Sequence, residues 1–153
     1  MKHVAILIAC IGSLLLSSVL SAHSGATGIV KERMQSMKVM GKASKTIAKQ
    51  LRAKDELDTN LLMQQADLID QHSQGMSKLF PKNSRQGKSE ALDTIWLQWD
   101  DFVALSRQTS DAAVALKGLL VAGADNGALQ KQFRVLGKSC KSCHSEYRQK
   151  RKE

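Results

Sequence analysis

The sequence Cys140-Lys141-Ser142-Cys143-His144, near the end of the chain, places two thiols and an imidazole within five consecutive residues. Two cysteines three positions apart on a helix lie on the same side, so both can add to the vinyl groups of one haem. The adjacent histidine can then turn its imidazole toward the iron. This spacing is the attachment signature of c-type haem. We therefore predict one covalently attached haem c, held by Cys140 and Cys143 and ligated by His144.

Other uses of a cysteine pair fit this context poorly. A thioredoxin-like pair follows a strand and opens a helix, whereas this pair lies inside a helical pattern. A zinc site needs four ligands, and only His72 and His23 could add a nitrogen to the motif in the mature chain. A structural disulfide across so short a loop would stabilise the fold little. Because these alternatives fit poorly, haem attachment is the prediction.

Apolar residues that recur at steps of three and four predict an all-α protein with four helices. The predicted helices begin at residue 29, near Asp55, near Ser89 and near residue 125. The first ends at residue 51, the second loses its pattern near residue 75, the third runs to residue 120, and the fourth carries the haem motif. Between the second and third, Pro81 to Gly87 is predicted to be a surface loop. Short connections imply an antiparallel four-helix bundle, whose interior suits a cofactor.

The chain begins with a segment typical of export. An apolar run over residues 4–20 follows Lys2, and small residues follow the run at Ser21, Ala22 and Ser24. We predict a signal peptide over residues 1–22, a haem-binding domain over residues 23–153, a periplasmic location and no stable membrane insertion after cleavage. A retained membrane anchor is the alternative, since spanning helices need about 17 to 25 apolar residues. Cleavage also removes Cys10, so that only the two motif cysteines stay in the mature chain.

Basic residues outnumber acidic ones. The formal net charge is +9, and the mature chain keeps +8 because Lys2 is the only charged side chain of the leader. This excess suits an acidic redox partner, docked at a haem edge rimmed by Lys138, Lys141, Arg148 and Lys150. A basic surface that only keeps the protein soluble is the alternative. No nucleic acid partner is expected, because the chain has no recognition module.

Three segments resemble the cytochrome c' family, which consists of four-helix-bundle cytochromes with the haem site near the C-terminus and includes low-spin, six-coordinate relatives. They cover residues 33–38, 95–102 and 140–148, and the third is the most specific, since Tyr147-Arg148 follows the haem motif at a fixed distance. The segments are Arg33-Met34-Gln35-Ser36-Met37-Lys38, Ile95-Trp96-Leu97-Gln98-Trp99 through Phe102, and Cys140 through Arg148.

The resemblance implies a second iron ligand. In this family the residue four positions after the arginine of the first helix points at the iron, and here that residue is Met37. Family members with an apolar residue there are five-coordinate and bind gases, whereas those with methionine are generally electron carriers. Met40 or an open face are the alternatives to Met37. His72 is expected on the polar face of the second helix.

The resemblance also assigns other roles. Arg33 and Arg148 match family arginines near the haem and are expected to contact its propionates or edge, unless they are merely solvated. Helices one and two are expected to form a homodimer face. The predicted function is one-electron transfer without transformation of a substrate, and the alternative is a five-coordinate protein that binds nitric oxide or carbon monoxide. A peroxidase is disfavoured because no distal acid-base histidine is evident.

Overall fold

Residues 25–150, the part of the chain that this computed structural model describes, contain four long helices and one short helix. The signal peptide predicted over residues 1–22 lies outside the described residues. No helix within residues 25–150 has the length and apolar character needed to cross a lipid bilayer. The elements are α1 (Gly28–Arg52), α2 (Thr59–Gln74), a 3₁₀ turn at Met76–Leu79, α3 (Thr94–Leu97), α4 (Trp99–Val121) and α5 (Asn126–Tyr147).

Consecutive long helices pack against each other. α1 packs on α2, α2 on α4 and α4 on α5, whereas α1 and α5 touch far less. This is the predicted all-α four-helix bundle. The sparse contact between α1 and α5 leaves room for a cavity on that side.

Two separate groups of buried side chains stabilise the bundle. Burying one large aliphatic side chain contributes about 1.5–3 kcal/mol. The scaffold core consists of Ala43, Ile47, Leu51, Leu62, Ile69, Ala112, Ala113, Leu116, Leu120, Leu129 and Leu136. The cavity core consists of Met76, Phe80, Ala91, Ile95, Phe102 and Tyr147.

Aspartate caps fix the starts of two helices. The carboxylate of Asp125 accepts a hydrogen bond of 2.9 Å from the amide of Ala128 and begins α5 where the sequence predicts. The predicted start of α2 near Asp55 is wrong, because the carboxylate that caps the helix belongs to Asp58, which accepts from the amide of Leu61 at 2.9 Å. An N-cap side chain satisfies an amide that has no partner within the helix.

The predicted start of the third helix near Ser89 is also wrong. Residues before α3 pair instead with the chain that follows α5: the Leu92 amide donates to the Tyr147 carbonyl at 3.0 Å, and the Gln149 amide donates to the Glu90 carbonyl at 2.8 Å. Within residues 25–150 the one β-type pairing is the isolated antiparallel bridge between Ala91 and Arg148. These long-range hydrogen bonds hold residues 89–92 in an extended form.

A break at Gln98 divides the predicted third helix into α3 and α4. Gln98 has φ −123° and ψ 48°, outside the helical region. Its side-chain oxygen accepts a hydrogen bond of 3.4 Å from the Tyr147 hydroxyl. The break therefore lies against the C-terminal end of α5.

Candidate functional site

A cavity of about 530 Å³ lies between α1 and the C-terminal end of α5. Its volume is within the range of roughly 300–1,000 Å³ that is common for ligand pockets. Loop residues between the 3₁₀ turn and α3 close a further side. Its lining includes Arg33, Met34, Met37, Lys38, Lys45, Phe80, Lys88, Glu90, Ala91, Phe102, Cys143, His144, Tyr147 and Arg148.

The motif cysteines lie in the last turns of α5 and are both half-buried. Cys143 lines the cavity, and Cys140 packs against the scaffold core. Burial raises the pKa of the Cys140 thiol. Burial, with a smaller contribution from Cys140, raises the pKa of the Cys143 thiol to about 11. Both groups are therefore protonated thiols at neutral pH, which is the opposite of the low-pKa cysteines of disulfide oxidoreductases.

His144 is half-buried in the cavity wall. Burial is the main reason why the pKa of His144 is lowered, and the Arg148 cation lowers it further while Glu90 opposes the shift. A lowered pKa leaves the imidazole neutral at pH 7, the form that has a free nitrogen lone pair for a metal.

The three methionines of α1 have different surroundings. Met37 is half-buried, lines the cavity and packs against the cavity core, as does Cys143. Met34 also lines the cavity but is 41% exposed. Met40 is not among the residues that line the cavity, and its sulfur accepts a hydrogen bond of 3.5 Å from the Ser73 hydroxyl. Met37 is thus the methionine that shares both the cavity and its apolar wall with the motif.

Arg33 is buried, with 5% of its surface exposed, and its guanidinium is bound by the protein itself. It donates to the Leu79 carbonyl at 2.8 and 3.1 Å, to the Ser84 hydroxyl at 2.8 Å and to the Ser89 hydroxyl at 3.1 Å. It also stacks 3.7 Å from the centre of the Phe80 ring. Arg33 therefore ties the loop after the 3₁₀ turn to α1, and its predicted contact with a haem edge stays a prediction.

Arg148 has a different environment. It lines the cavity, and its Nε is buried without a hydrogen-bond partner among the described residues. A buried donor without a partner is costly, so its presence beside a cavity indicates that an acceptor belongs there. A haem propionate is an acceptor of that kind.

Aromatic rings form much of the apolar wall. The Phe102 ring centre lies 4.8 Å from that of Phe80 and 5.4 Å from that of Tyr147, both in edge-on geometry. Trp96 packs behind Phe80, and its indole N–H donates to the Phe80 carbonyl at 3.0 Å. Phe80 was not predicted from the sequence, which suggested only a surface loop beginning at Pro81.

The basic residues around the cavity differ from those predicted. Arg148 lines it, but the other cations that do so are Arg33 and the exposed residues Lys38, Lys45 and Lys88. Lys138, predicted to rim the haem edge, lies instead in a groove between α4 and α5. Lys141 and Lys150 are also absent from the cavity lining, so Arg148 is the one of the four predicted rim residues that lies there.

His72, which was expected on the polar face of the second helix, contacts α1. It is half-buried, and its Nδ1 lies 2.9 Å from the Ser36 hydroxyl of α1. It is absent from the cavity lining, where His144 is the one histidine among the described residues. Residues 25–150 also contain no cluster of three or more His, Cys, Asp or Glu side chains that could bind a metal ion by themselves.

The donor set fits a covalently bound haem. Two thiols and an imidazole stand on adjacent turns of one helix, a thioether lies in the same cavity, the wall is aromatic, and an arginine Nε lacks an acceptor. The two thiols would form the thioether bonds, the imidazole and the thioether could ligate the iron, and the arginine could anchor a propionate.

A family model described as Cytochrome C' matches residues 28–148. The chain belongs to the cytochrome c' family. Proteins of this family carry covalently attached haem c, so the predicted resemblance and the predicted cofactor are confirmed. They are periplasmic, and they act mainly as haem carriers.

Individual relatives agree with this family. A cytochrome c' from Rhodopseudomonas palustris is 29% identical over 126 residues, which cover 82% of this chain and 84% of the relative. A solved structure of a cytochrome c' from Rhodopseudomonas palustris, 29% identical, matches with a TM-score of 0.75 and covers 83% of this chain and 100% of that one. A cytochrome c-554 from Cereibacter sphaeroides is 43% identical over 76 residues, 48% of this chain. The match spans about half the length of the cytochrome c-554 relatives, 56% of one and 48% of another.

Proposed function

We propose that this cytochrome c' family member is a one-electron carrier whose iron is ligated by both His144 and Met37. The observation that carries the proposal is the position of Met37, half-buried in the same cavity wall as Cys143 and His144. The other two methionines of α1 fit less well, because Met34 is 41% exposed and the sulfur of Met40 accepts a hydrogen bond from Ser73.

The chain's own residues would each contribute one part of this function. Cys140 and Cys143 hold the cofactor through thioether bonds, and the neutral imidazole of His144 offers its lone pair to the iron. The bound haem supplies an iron centre that gains and loses one electron. The Met37 thioether is a soft ligand that raises the reduction potential. Phe80, Phe102 and Tyr147 exclude water from the site.

We further propose that the protein does not transform a substrate and that it works in the periplasm after cleavage of residues 1–22. The peroxidase interpretation would call for an acid-base histidine on the open side of the haem. Among the described residues, the cavity wall has no histidine besides His144. A homodimer formed through α1 and α2 is also proposed, and sedimentation at several protein concentrations would test it.

Gas binding is the second candidate function. It is favoured by the family, whose members are usually five-coordinate. In that case Met37 would line the cavity without ligating the iron, and carbon monoxide or nitric oxide would take the free position.

The visible spectrum of the reduced protein, with and without carbon monoxide, separates the two candidates. We expect a low-spin spectrum that carbon monoxide leaves unchanged. In Met37→Ala we expect a high-spin spectrum, carbon monoxide binding and a lower potential, whereas Met34→Ala is the matched control and should keep the wild-type spectrum. A gas response of the wild-type protein would establish the second candidate, and an unchanged spectrum in Met37→Ala would assign the ligand elsewhere.

A further inference from the structure

Charge is divided unequally between the helices. α1 and α5 together carry eleven lysines and arginines and two acidic residues. α2 and α4 together carry two basic and five acidic residues. The net charge is therefore +9 on the pair of helices that flank the cavity and −3 on the pair behind them.

Five lysines of α1 form a continuous line, which we call the lysine stripe. They recur at steps of seven, four, three and four, so they share one side of the helix and span about 27 Å. All five are exposed, and the salt bridges recorded in residues 25–150 involve Arg85 with Asp93 and Lys117 with Asp67, not the stripe. The stripe consists of Lys31, Lys38, Lys42, Lys45 and Lys49.

Aligned charges of one sign oppose helix formation. Lysines three or four positions apart repel each other, and three such pairs follow one another from Lys38 to Lys49. A basic surface that served only solubility would avoid this repulsion by spreading its charge over several helices. The alignment indicates an anionic counterpart that neutralises the stripe.

The stripe borders the functional site. Lys38 and Lys45 line the cavity that holds Cys143 and His144, while Lys31, Lys42 and Lys49 lie on the solvent side. A partner neutralised along the whole stripe would thus lie over the cavity mouth. A length of about 27 Å also suits the small interfaces, below about 1,200 Å² in total, of transient redox complexes.

We propose that the lysine stripe of α1 is the docking surface for an acidic redox protein, and that it places this partner over the mouth of the haem cavity. The proposal rests on the carrier function proposed above, and it assigns docking to α1 instead of the basic residues of α5. It also requires that the homodimer proposed through α1 and α2 leave the lysine stripe uncovered. An anionic membrane is the competing occupant, and the test below includes it.

The test uses the haem-loaded protein in three forms: wild type, a stripe variant (Lys31→Glu, Lys42→Glu and Lys49→Glu) and a control (Lys131→Glu, Arg134→Glu and Lys138→Glu on α5). Both variants change the net charge equally, replace exposed residues and leave the cavity lining intact. A purified flavodoxin is the acidic probe, and each hydroquinone gives one electron to one ferric haem and becomes the semiquinone. Binding is measured by calorimetry and reduction by stopped flow, at several salt concentrations.

We expect the stripe variant to be reduced about tenfold or more slowly than wild type at low salt, and the control to lose about threefold at most. Wild-type binding should weaken as salt rises. Equal losses in the two variants would overturn the assignment to α1. Stripe-dependent binding without reduction would support the docking surface and contradict the carrier function instead.

Vesicles of phosphatidylglycerol, compared with phosphatidylcholine, test the membrane. Binding to phosphatidylglycerol that the stripe variant loses, together with an unchanged reaction with flavodoxin, would make the stripe a membrane surface and overturn the proposal. Unchanged visible and circular dichroism spectra show that each variant is folded. If the stripe variant misfolds, the Lys→Gln versions of both sets replace it, with smaller losses expected in the same order.

Discussion

At the scale of single residues, Arg33 shows where inference from sequence ends. Its position in the first helix was predictable from the resemblance, but its partners were not. Leu79, Ser84 and Ser89 stand 46 to 56 positions away in the sequence. A local pattern carries no information about contacts of that range, so a structural clamp and a haem contact were indistinguishable. In the structure the guanidinium donates its hydrogen bonds to the loop.

Replacing Arg33 should therefore destabilise the protein. Arg33→Ala removes a charged donor from the Leu79 carbonyl and from two serines, and it exposes one face of the Phe80 ring. We expect the free energy of unfolding to fall by about 3 kcal/mol. Guanidinium denaturation measures this change. Arg134→Ala on the exposed side of α5 is the control and should change stability by less than about 0.5 kcal/mol, and an equally small effect of Arg33→Ala would disprove the clamp.

Tyr147 gives a direct test of burial at the site, because it is the sole tyrosine of the chain. Burial, with a smaller effect of Asp101, raises the pKa of Tyr147 above its usual value. Ionisation of Tyr147 therefore favours the unfolded chain. The contribution of the neutral hydroxyl to the free energy of unfolding is complete below about pH 10 and is lost as pH rises through the higher folded-state pKa.

We expect tyrosinate absorbance at 295 nm to appear above pH 10 in the native protein and to accompany loss of helical circular dichroism. The same titration in concentrated denaturant should have its midpoint near pH 10. A native midpoint at or below the denatured one, with the helices intact, would show that the hydroxyl is solvated.

At the scale of elements, periodicity predicted the long helices more reliably than their starts. α1 and α5 agree with prediction within one or two residues because their apolar stripes and the Asp125 cap are local signals. The start of α2 was misplaced because Asp55 and Asp58 are both acceptable N-caps, and only the structure shows which one binds an amide. The extended residues before α3 depend on hydrogen bonds to Tyr147 and Gln149, which no local pattern reveals.

Two glycines of the α4 region should respond to alanine in opposite ways. Gly123 ends the helix with φ +66°, and the Ala124 amide donates to the Leu119 carbonyl at 3.0 Å, as in a Schellman motif. Gly118 lies inside α4. Apart from the chain neighbours and the nearby backbone of the helix itself, a methyl group at either position would have no atom within 4 Å. The opposite responses to alanine should therefore come from backbone conformation and not from a steric clash.

We expect Gly123→Ala to lower the free energy of unfolding by about 1 kcal/mol and Gly118→Ala to raise it by about 0.5–1 kcal/mol. Thermal and denaturant unfolding of the two variants measure both changes. The same sign in both would contradict the left-handed cap at Gly123.

At the scale of the whole molecule, the sequence could predict the reactive residues of the site but not the residues that form the cavity wall. The motif predicted Cys140, Cys143 and His144, and the resemblance added Met37 as a proposed ligand, all from short segments. The wall formed by Phe80 and by residues 88–91 was missed, since it depends on how the loop folds back between α1 and α5. The resemblance indicated where the haem site lies but did not predict which residues surround it.

Loss of the haem should affect one end of the bundle. In the double variant Cys140→Ser and Cys143→Ser, we expect no covalent pigment and a melting temperature lower by about 10 °C or more. Helical circular dichroism should persist because the scaffold core is intact, whereas the near-ultraviolet signal of Trp96 beside Phe80 should fade. Single-thioether Cys140→Ser is the control that should keep this signal, and a native signal in the double variant would contradict the expectation.

The scaffold core and the cavity core share no fully buried side chain, and the half-buried Met40 packs against both. Substitutions at Met37 or around Phe80 can therefore alter the ligation of the iron while the scaffold core still folds. A change of ligand at Met37 should therefore cost the scaffold core little stability, so the same bundle could accommodate either an occupied or an open iron position.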